Sequence, residues 1–403
     1  MARQTARSIV GLVLAAVLAA LVGSLILIQT GQSPLDAATG LYQGAFGSSA
    51  ATLGTLTATT PLIWAALSFM VAFRAGIFNA GGQGQFIMGA FAAALVGFTP
   101  ALAGLPGVVH APLVVLAGAC GGALWALLPI LWKIFAGTNE ILTTLMMSYI
   151  ASLLNDYLVL NVFRASTIQP GTNAQTSTLA PGAQFPPLVA GSQVTFMLPL
   201  GVAAAIAIWV FFRRTVLGYE LNMLGKGAPL ARGGGIGVRR LMIIAMLISG
   251  GLAGIAGAAV VGGVFLADIT PFNSNVGFDG LLASLLSGNS PLVIPVASVF
   301  FGALRNGGLG LQIFTPISRY IADILMAASS FSPRRARCQG HRRCAGSAND
   351  SWADPKGNEP CCARFWILFS PACSYPLRCC WPRWADCSAT APASSTSRWK
   401  DSC

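Results

Sequence analysis

Nine long apolar segments constrain this chain more than any other feature of its sequence. They lie at roughly 8–28, 51–73, 84–103, 111–132, 141–162, 195–212, 241–266, 279–304 and 313–331. A helix crosses the hydrocarbon core of a bilayer with about 20 predominantly apolar residues, and a helix satisfies every backbone polar group where water is absent. The segments therefore predict an all-α, polytopic transmembrane helix bundle of about eight to ten spans.

One of these segments is not continuous. The stretch 279–304 is interrupted by Gly288, Asn289, Ser290 and Pro291, which are typical turn residues. Such an interruption predicts a broken or re-entrant segment, which is either a broken helix or two half-helices. Small residues are dense elsewhere in the spans, and they predict close contact between helix backbones. The clearest cases are Gly250, Gly254 and the run 118–122.

The composition agrees with a membrane protein. Of the 403 residues, 55% are hydrophobic and only 9% are charged, against about 25% charged in an ordinary soluble domain. So few charged residues cannot cover a soluble fold of this size. The composition excludes a large soluble enzyme, a disordered chain and a nucleic-acid-binding surface.

The first apolar segment, 8–28, has two interpretations. Arg3 and Arg7 precede it, as they would precede either a secretory signal or a first span. Its apolar run of about 20 residues is longer than the 7–15 of a signal peptide. We therefore interpret the segment as a retained transmembrane helix.

Basic residues predict the orientation of the chain in the membrane. The loop 213–240 holds six Lys and Arg residues, whereas the loops 29–50 and 163–194 hold only Arg164 between them. Short loops rich in Lys and Arg face the cytoplasm. We expect a multi-pass plasma (inner) membrane protein with a cytoplasmic N-terminus and a cytoplasmic loop 213–240.

The sequence has none of the usual enzyme motifs. It contains no phosphate-binding G-x-x-x-x-G-K-[ST] loop, no G-x-S-x-G elbow and only two histidines, His110 and His341. We therefore expect no catalytic residues, no metal site and no cofactor bound by this chain. Asp156 and Asp323 lie within predicted spans, where a carboxylate is a functional candidate by default.

The last 71 residues have a different composition. Nine of the 10 cysteines lie in 333–403, together with many Arg, Trp, Pro and Ser residues. A Cys-rich metal or disulfide module is one interpretation, but the tail has no C-x-x-C pair. Translation out of frame, or a disordered tail, is the other, and we favour it. The domains are then a transmembrane domain over 1–332 and an atypical tail over 333–403.

Three polar, Gly-rich interruptions lie between the spans, at 78–85, 137–144 and 217–238. The third contains an amphipathic stretch bounded by glycines, which suits either the docking of a soluble partner or a solvated loop. This stretch resembles the cytoplasmic coupling segment of a known transporter family at eight positions. They are Gly218, Glu220, Leu221, Gly225, Ala231, Arg232, Gly235 and Ile236. The other two interruptions resemble motifs of the same family through Phe78, Asn79, Gly81, Gly84 and Gln85, and through Asn139, Glu140, Thr143, Thr144, Met146, Tyr149, Ile150 and Ala151.

Over roughly 10–327 the chain resembles the permease subunit of a bacterial ABC importer. The resemblance is to the branch that handles nucleosides and simple sugars, which is related to branched-chain amino acid and ribose permeases. It implies that the chain pairs with a second related permease, that a separate cytoplasmic ATPase binds ATP and docks on loop 213–240, and that an extracytoplasmic lipoprotein delivers the small-molecule substrate. Membrane lipid is a further partner, and nucleic acid is not.

The resemblance also implies roles for particular residues. The expected ATPase-coupling residues are Gly218, Glu220, Leu221, Gly225, Ala231, Arg232 and Gly235, and we expect Glu220 and Arg232 to orient that segment. Polar groups at breaks in a bundle can line a cavity, which makes Asn79, Gln83, Gln85, Asn139, Glu140 and Thr143 candidates for the substrate path. Helix capping and interhelical hydrogen bonding are the alternative for these residues. For the whole chain, an ion-gradient-driven secondary transporter acting alone is the alternative function.

Overall fold

The computed structural model describes residues 33–165, 174–270, 275–314 and 323–326, together with part of 21–29. The predictions for the first apolar segment fall almost wholly outside these residues. The predictions for the tail 333–403 fall outside them altogether.

Helices make up most of the described chain. In order they are α1 (Pro34–Phe46), α2 (Ser49–Arg74), α3 (Gly82–Phe98), α4 (Gly107–Ala136), α5 (Glu140–Asn161), α6 (Met197–Arg214), α7 (Val216–Lys226), α8 (Ala228–Gly233), α9 (Val238–Val260), α10 (Val276–Leu286) and α11 (Ile294–Phe314). A π-helical turn, Val261–Phe265, extends α9. Two short strands, β1 (Ala174–Gln175) and β2 (Ile269–Thr270), pair antiparallel.

Four of the described helices are both long and apolar enough to cross a membrane. They are Ser49–Arg74, Gly107–Ala136, Met197–Arg214 and the continuous stretch Val238–Phe265. The shorter helices α3 and α10 are also apolar. The prediction of an all-α, polytopic membrane bundle is confirmed, whereas the number of eight to ten spans stays a prediction.

Helix α2 lies at the centre of the bundle. Every residue from Thr59 to Ala72 is buried, so the helix is enclosed on all sides by other helices. In the most apolar 18-residue stretches of α4 and α6, only 33% and 22% of the residues are buried. Those two helices therefore present much of their apolar surface outward, to lipid or to a partner subunit.

Glycines bring α3, α4 and α9 into backbone contact. A Cβ atom added to Gly254 of α9 would lie within 3.0 Å of the carbonyl oxygen of Gly118 of α4, and one added to Gly89 of α3 would overlap Gly254. Gly122 and Gly250 oppose each other in the same way. The close helix packing predicted from Gly250, Gly254 and 118–122 is confirmed.

The interruption at 288–291 separates a half-helix from a full helix. Helix α10 has 11 residues and is about 16 Å long, well short of the about 30 Å of a hydrocarbon core. Gly288 and Asn289 both adopt positive φ, at 68° and 54°, and the Ser284 Oγ donates to the Asn289 Oδ1 at 2.8 Å. The left-handed pair ends α10 and confirms the broken segment.

Candidate functional site

The segment α7–α8 is shaped by its ends. The Oγ1 of Thr215 accepts a hydrogen bond from the Gly218 N–H at 3.1 Å and caps α7. Gly227, at φ 145°, turns the chain into α8 in a conformation that other residues rarely adopt. The amphipathic stretch predicted from the sequence is therefore two short helices at a fixed angle.

One face of α7–α8 is packed against the bundle. Leu221, Leu224 and Ala231 are buried in the main core. A Cβ on Gly225 would overlap the carbonyl oxygen of Arg74 at the end of α2, and a Cβ on Gly218 would overlap the backbone of α6. Two of the motif glycines are therefore sites of close backbone contact.

The opposite face of α7–α8 is apolar and open. Val216, Tyr219 and Leu230 are each more than half exposed. An exposed apolar group on a charged protein face is typical of a contact surface for another protein. We call Val216, Tyr219 and Leu230 the outer face of the coupling segment.

Glu220 and Arg232 do not contact each other through a salt bridge. Glu220 is partly buried and Arg232 is exposed. The ion pairs within the described residues are Lys133 with Glu140 and Arg305 with Asp279. The expectation that Glu220 and Arg232 orient the segment stays a prediction. A further expected coupling residue, Gly235, is exposed in the turn after α8, where its φ is 74°.

This end of the molecule is basic. Arg232, Arg239 and Arg240 line an open cavity of about 610 Å³ beside Gly237 and Val238. Because Gly225 touches Arg74, the basic loop 213–240 lies at the same end as the last turn of α2. The structure thus places the basic residues of loop 213–240 and Arg74 at the same end of the bundle.

The first group of path candidates forms a buried hydrogen-bond network. The Asn79 Nδ2 donates to the Gln85 Oε1 and to the Ser249 Oγ, both at 2.9 Å, and the Asn79 Oδ1 accepts from the Gln85 Nε2 and the Gly81 N–H. The Ser249 Oγ in turn donates to the Ser68 carbonyl oxygen at 2.9 Å. The network links the loop before α3 to α9 and α2.

Gln83 joins the half-helix to the bundle. Its side chain is buried, and its Oε1 accepts a hydrogen bond from the Gly277 N–H at 2.8 Å. This N–H belongs to the first turn of α10, whose amide groups have no partner within the helix. Gln83 therefore caps α10 from another element.

The second group of path candidates lies at the start of α5. The Asn139 Oδ1 accepts from the Ile141 N–H at 3.0 Å, and the Thr143 Oγ1 donates to the Asn139 carbonyl oxygen. Glu140 forms an ion pair with Lys133, and its Oε1 accepts from the Phe78 N–H at 3.3 Å. These contacts fasten the α4–α5 connection to the loop before α3.

All six path candidates thus make hydrogen bonds within the chain. The contacts are those of helix capping and interhelical bonding, the alternative that the sequence left open. A role in the substrate path stays a prediction. Within the residues that the structure describes, no group of three or more His, Cys, Asp or Glu side chains is placed to hold a metal ion.

Sequence reasoning missed a second polar cluster, at the opposite end of the bundle. Asp268 and Asn155 are almost completely buried, and the Asn155 Nδ2 approaches the Asp268 Oδ1 at 3.5 Å. Asp268 follows the α9 span. Burial raises the pKa of its carboxyl to about 7, although the hydrogen bond from Asn155 lowers this pKa. Asp156 accepts a hydrogen bond from Thr270. The packing of α5 against the segment around β2 brings these residues together, so spacing along the chain gave no signal.

Helix α5 carries an unusual exposed stripe. Met146, Tyr149, Leu153 and Tyr157 are all exposed, and their spacing places them on one face of the helix. Yet α5 is not among the four described helices that are long and apolar enough to span a membrane. Asp156 flanks this stripe, and the other intramembrane candidate, Asp323, is exposed.

Comparison with known proteins identifies the family of this chain. A family described as a branched-chain amino acid transport system permease component matches residues 51–330. The guanosine ABC transporter permease protein NupP of Bacillus subtilis is 30% identical over 80% of this chain and 93% of its own length. The nucleoside ABC transporter permease protein NupB of Lactococcus lactis is 30% identical over 72% of this chain and 81% of its own.

A third relative is named for a sugar. The glucose ABC transporter permease protein TsgB13 of Haloferax volcanii is 29% identical over 77% of this chain and 83% of its own length. No solved structure matches. The matches support a permease subunit and give no support to an ion-gradient-driven transporter that acts alone. The chain belongs to the family of branched-chain amino acid transport system permease components, and it is a multi-pass membrane transport subunit.

Proposed function

We propose that this chain is the membrane subunit of an ATP-driven bacterial importer for nucleosides or simple sugars. The names of its relatives, which are guanosine, nucleoside and glucose permeases, support this substrate class. The observation that carries the proposal is the coupling segment α7–α8. It is packed into the bundle on one face and offers an apolar outer face on the other, at the basic end of the molecule.

The partner at this outer face is a separate ATPase, which binds the ATP. Val216, Tyr219 and Leu230 would enter an apolar groove on that subunit, while Glu220, Arg232 and Gly235 lie beside them. The ATPase can drive a change in the permease only if it binds the two states with different affinity. Leu221, Gly225 and Ala231 attach the inner face of the coupling segment to the core. The ATPase can therefore bind this segment with different affinity in the two states.

A second, related permease subunit would cover the exposed stripe of α5. The stripe has two tyrosines eight residues apart, Tyr149 and Tyr157, and aromatic rings stack on nucleobases and pack on sugar rings. We place the substrate path along this interface. Three of the six path candidates lie at the start of the same helix, namely Asn139, Glu140 and Thr143. The other three, Asn79, Gln83 and Gln85, lie in the loop before α3 and in its first turn.

The orientation follows from the basic end. With loop 213–240 in the cytoplasm, the N-terminus is cytoplasmic too, and the segment 174–196 faces outward in the bacterial plasma membrane. A substrate-binding lipoprotein would deliver substrate there. From its composition, we infer that the tail 333–403 is translated out of frame or is disordered, and we assign it no role in the transporter.

The outer face provides the test. The chain is purified from its own membranes, and co-purification of an ATPase and uptake of labelled guanosine, uridine and glucose are measured for the wild type and for Tyr219→Glu with Leu230→Glu. We expect the double variant to lose the ATPase and the uptake. Leu188→Glu, at an equally exposed leucine of the opposite end, is the matched control for ATPase binding and retains the ATPase. Uptake that continues without any ATPase would refute the proposal.

A further inference from the structure

Arg74 stands where three parts of the molecule meet. It is the last residue of the central helix α2. Its guanidinium reaches the break between α10 and α11, its side chain lies on α6, and its backbone touches the coupling segment α7. Arg74 therefore contacts both the break and α7.

On one side, Arg74 holds the break. Its Nε and Nη2 donate to the Asn289 carbonyl oxygen at 3.3 and 3.0 Å. Asn289 is one of only two described non-glycine residues with positive φ, and its Oδ1 accepts from Ser284. The forked donation fixes the direction of this carbonyl, and with it the angle at which the chain leaves α10.

On the other side, Arg74 is in contact with the coupling segment. Its carbonyl oxygen lies so close to Gly225 that no side chain fits between them, and Gly76 touches Gly225 as well. The Arg74 guanidinium carbon lies 4.9 Å from the centre of the Phe212 ring, a residue that is buried near the end of α6. A shift of α7 therefore cannot occur without moving the last turn of α2 or opening this contact.

We propose that Arg74 is a positioning residue that transmits movement of the coupling segment α7 to the break between α10 and α11. The inference rests on the proposed function, because α7 must first be moved by an ATPase. In this scheme the half-helix α10, which Gln83 caps at its first turn, changes its angle when the Asn289 carbonyl follows the guanidinium.

The chemistry of arginine suits this role. A planar guanidinium can stack on an aromatic ring while two of its N–H groups point at one oxygen. Lysine carries the same charge but has neither the plane nor the fork. An arginine that served only to mark the cytoplasmic side would need neither contact, and lysine would replace it without effect.

The experiment measures coupling rather than activity alone. Wild type, Arg74→Gln, Arg74→Lys and Arg164→Gln are purified with the ATPase that each retains and are reconstituted in proteoliposomes. The rate of ATP hydrolysis and the uptake of labelled substrate are then recorded together. Arg164→Gln is the matched control, because Arg164 is an exposed arginine beyond the end of α5, outside both loop 213–240 and the segment 174–196.

We expect Arg74→Gln to keep the ATPase and to hydrolyse ATP, while uptake per ATP falls roughly tenfold, the scale of a lost charge-assisted hydrogen bond. In Arg74→Lys the uptake per ATP falls by about threefold, since one bond survives, and Arg164→Gln keeps the wild-type ratio. An unchanged ratio in Arg74→Lys overturns the inference, and so does loss of ATPase binding in Arg74→Gln. If the wild type itself retains no ATPase, the proposed function fails instead.

Discussion

Gly254 of α9 lies directly on the carbonyl oxygen of Gly118 of α4, with no room for even a methyl group between them. This contact predicts a sharp position effect within one helix. Gly254→Ala must push two backbones apart, and overpacking of this kind costs typically about 1–3 kcal/mol. We expect a clearly lower midpoint of thermal unfolding in detergent.

Gly251 is the control for this prediction. It is in the same helix, but a Cβ there would lie 3.6 Å from the nearest atom, the Ala119 carbonyl oxygen, which is an ordinary contact. Gly251→Ala should therefore be neutral or slightly stabilising, because alanine favours helix over glycine by roughly 1 kcal/mol. Equal midpoints for the two variants would contradict the described packing.

A second prediction concerns the seat of the coupling segment. Gly225→Ala displaces α7 from the end of α2, so we expect weaker retention of the partner ATPase and slower uptake. Gly233→Ala is the matched change, because a Cβ at Gly233 meets nothing within 4 Å. Pull-down of the ATPase by the two variants, at equal amounts of folded permease, is the measurement. A Gly225 variant that binds like the wild type would show that α7 tolerates displacement.

A third prediction separates the two interpretations of Asn79. Asn79→Ala removes the partner of the buried Gln85 amide and of the Gly81 N–H, at a cost of about 1–3 kcal/mol. We expect reduced thermal stability with unchanged selectivity among labelled nucleosides and sugars. Asn161→Ala, which removes one exposed local bond to the Tyr157 carbonyl oxygen, should leave stability nearly unchanged. Altered selectivity at wild-type stability would instead place Asn79 in the substrate path.

A fourth prediction is a pH dependence. In the folded chain the pKa of Asp268 is raised by burial from 3.8 to about 7, so the folded state binds a proton more tightly than the unfolded state. Stability must then fall as pH rises from about 4 to 7, by at most about 1.4 kcal/mol per pH unit, and level off above 7. Thermal unfolding of the wild type and of Asp268→Asn between pH 5 and 8 checks this. A wild type that declines no more than the variant would contradict it.

Local pattern was sufficient for much of this structure. The apolar segments, the interruption at 288–291 and the amphipathic stretch of 217–238 all depend on residues close in sequence, and hydropathy or turn chemistry shows them directly. The resemblance of Gly218 and Gly225 to a coupling motif was also visible. Their physical reason was not, because each glycine is needed for a contact with a distant backbone.

Long-range polar contacts were the part that could not be predicted. Asn79 and Ser249 are 170 residues apart, and Asn155 and Asp268 are 113 apart. Nothing in the neighbourhood of either residue shows which partner the fold will bring to it. Sequence reasoning therefore named Asn79 for its type and place, and it passed over Asn155 altogether.

The glycine contacts among α3, α4 and α9 have a mechanical consequence. Three helices that touch backbone to backbone have no side-chain layer that could rearrange between them, so we expect them to behave as one rigid block. A transporter must nonetheless change shape. The moving parts are then left to elements outside the block, among them the break between α10 and α11, where Arg74 donates to Asn289 through hydrogen bonds that can break and reform.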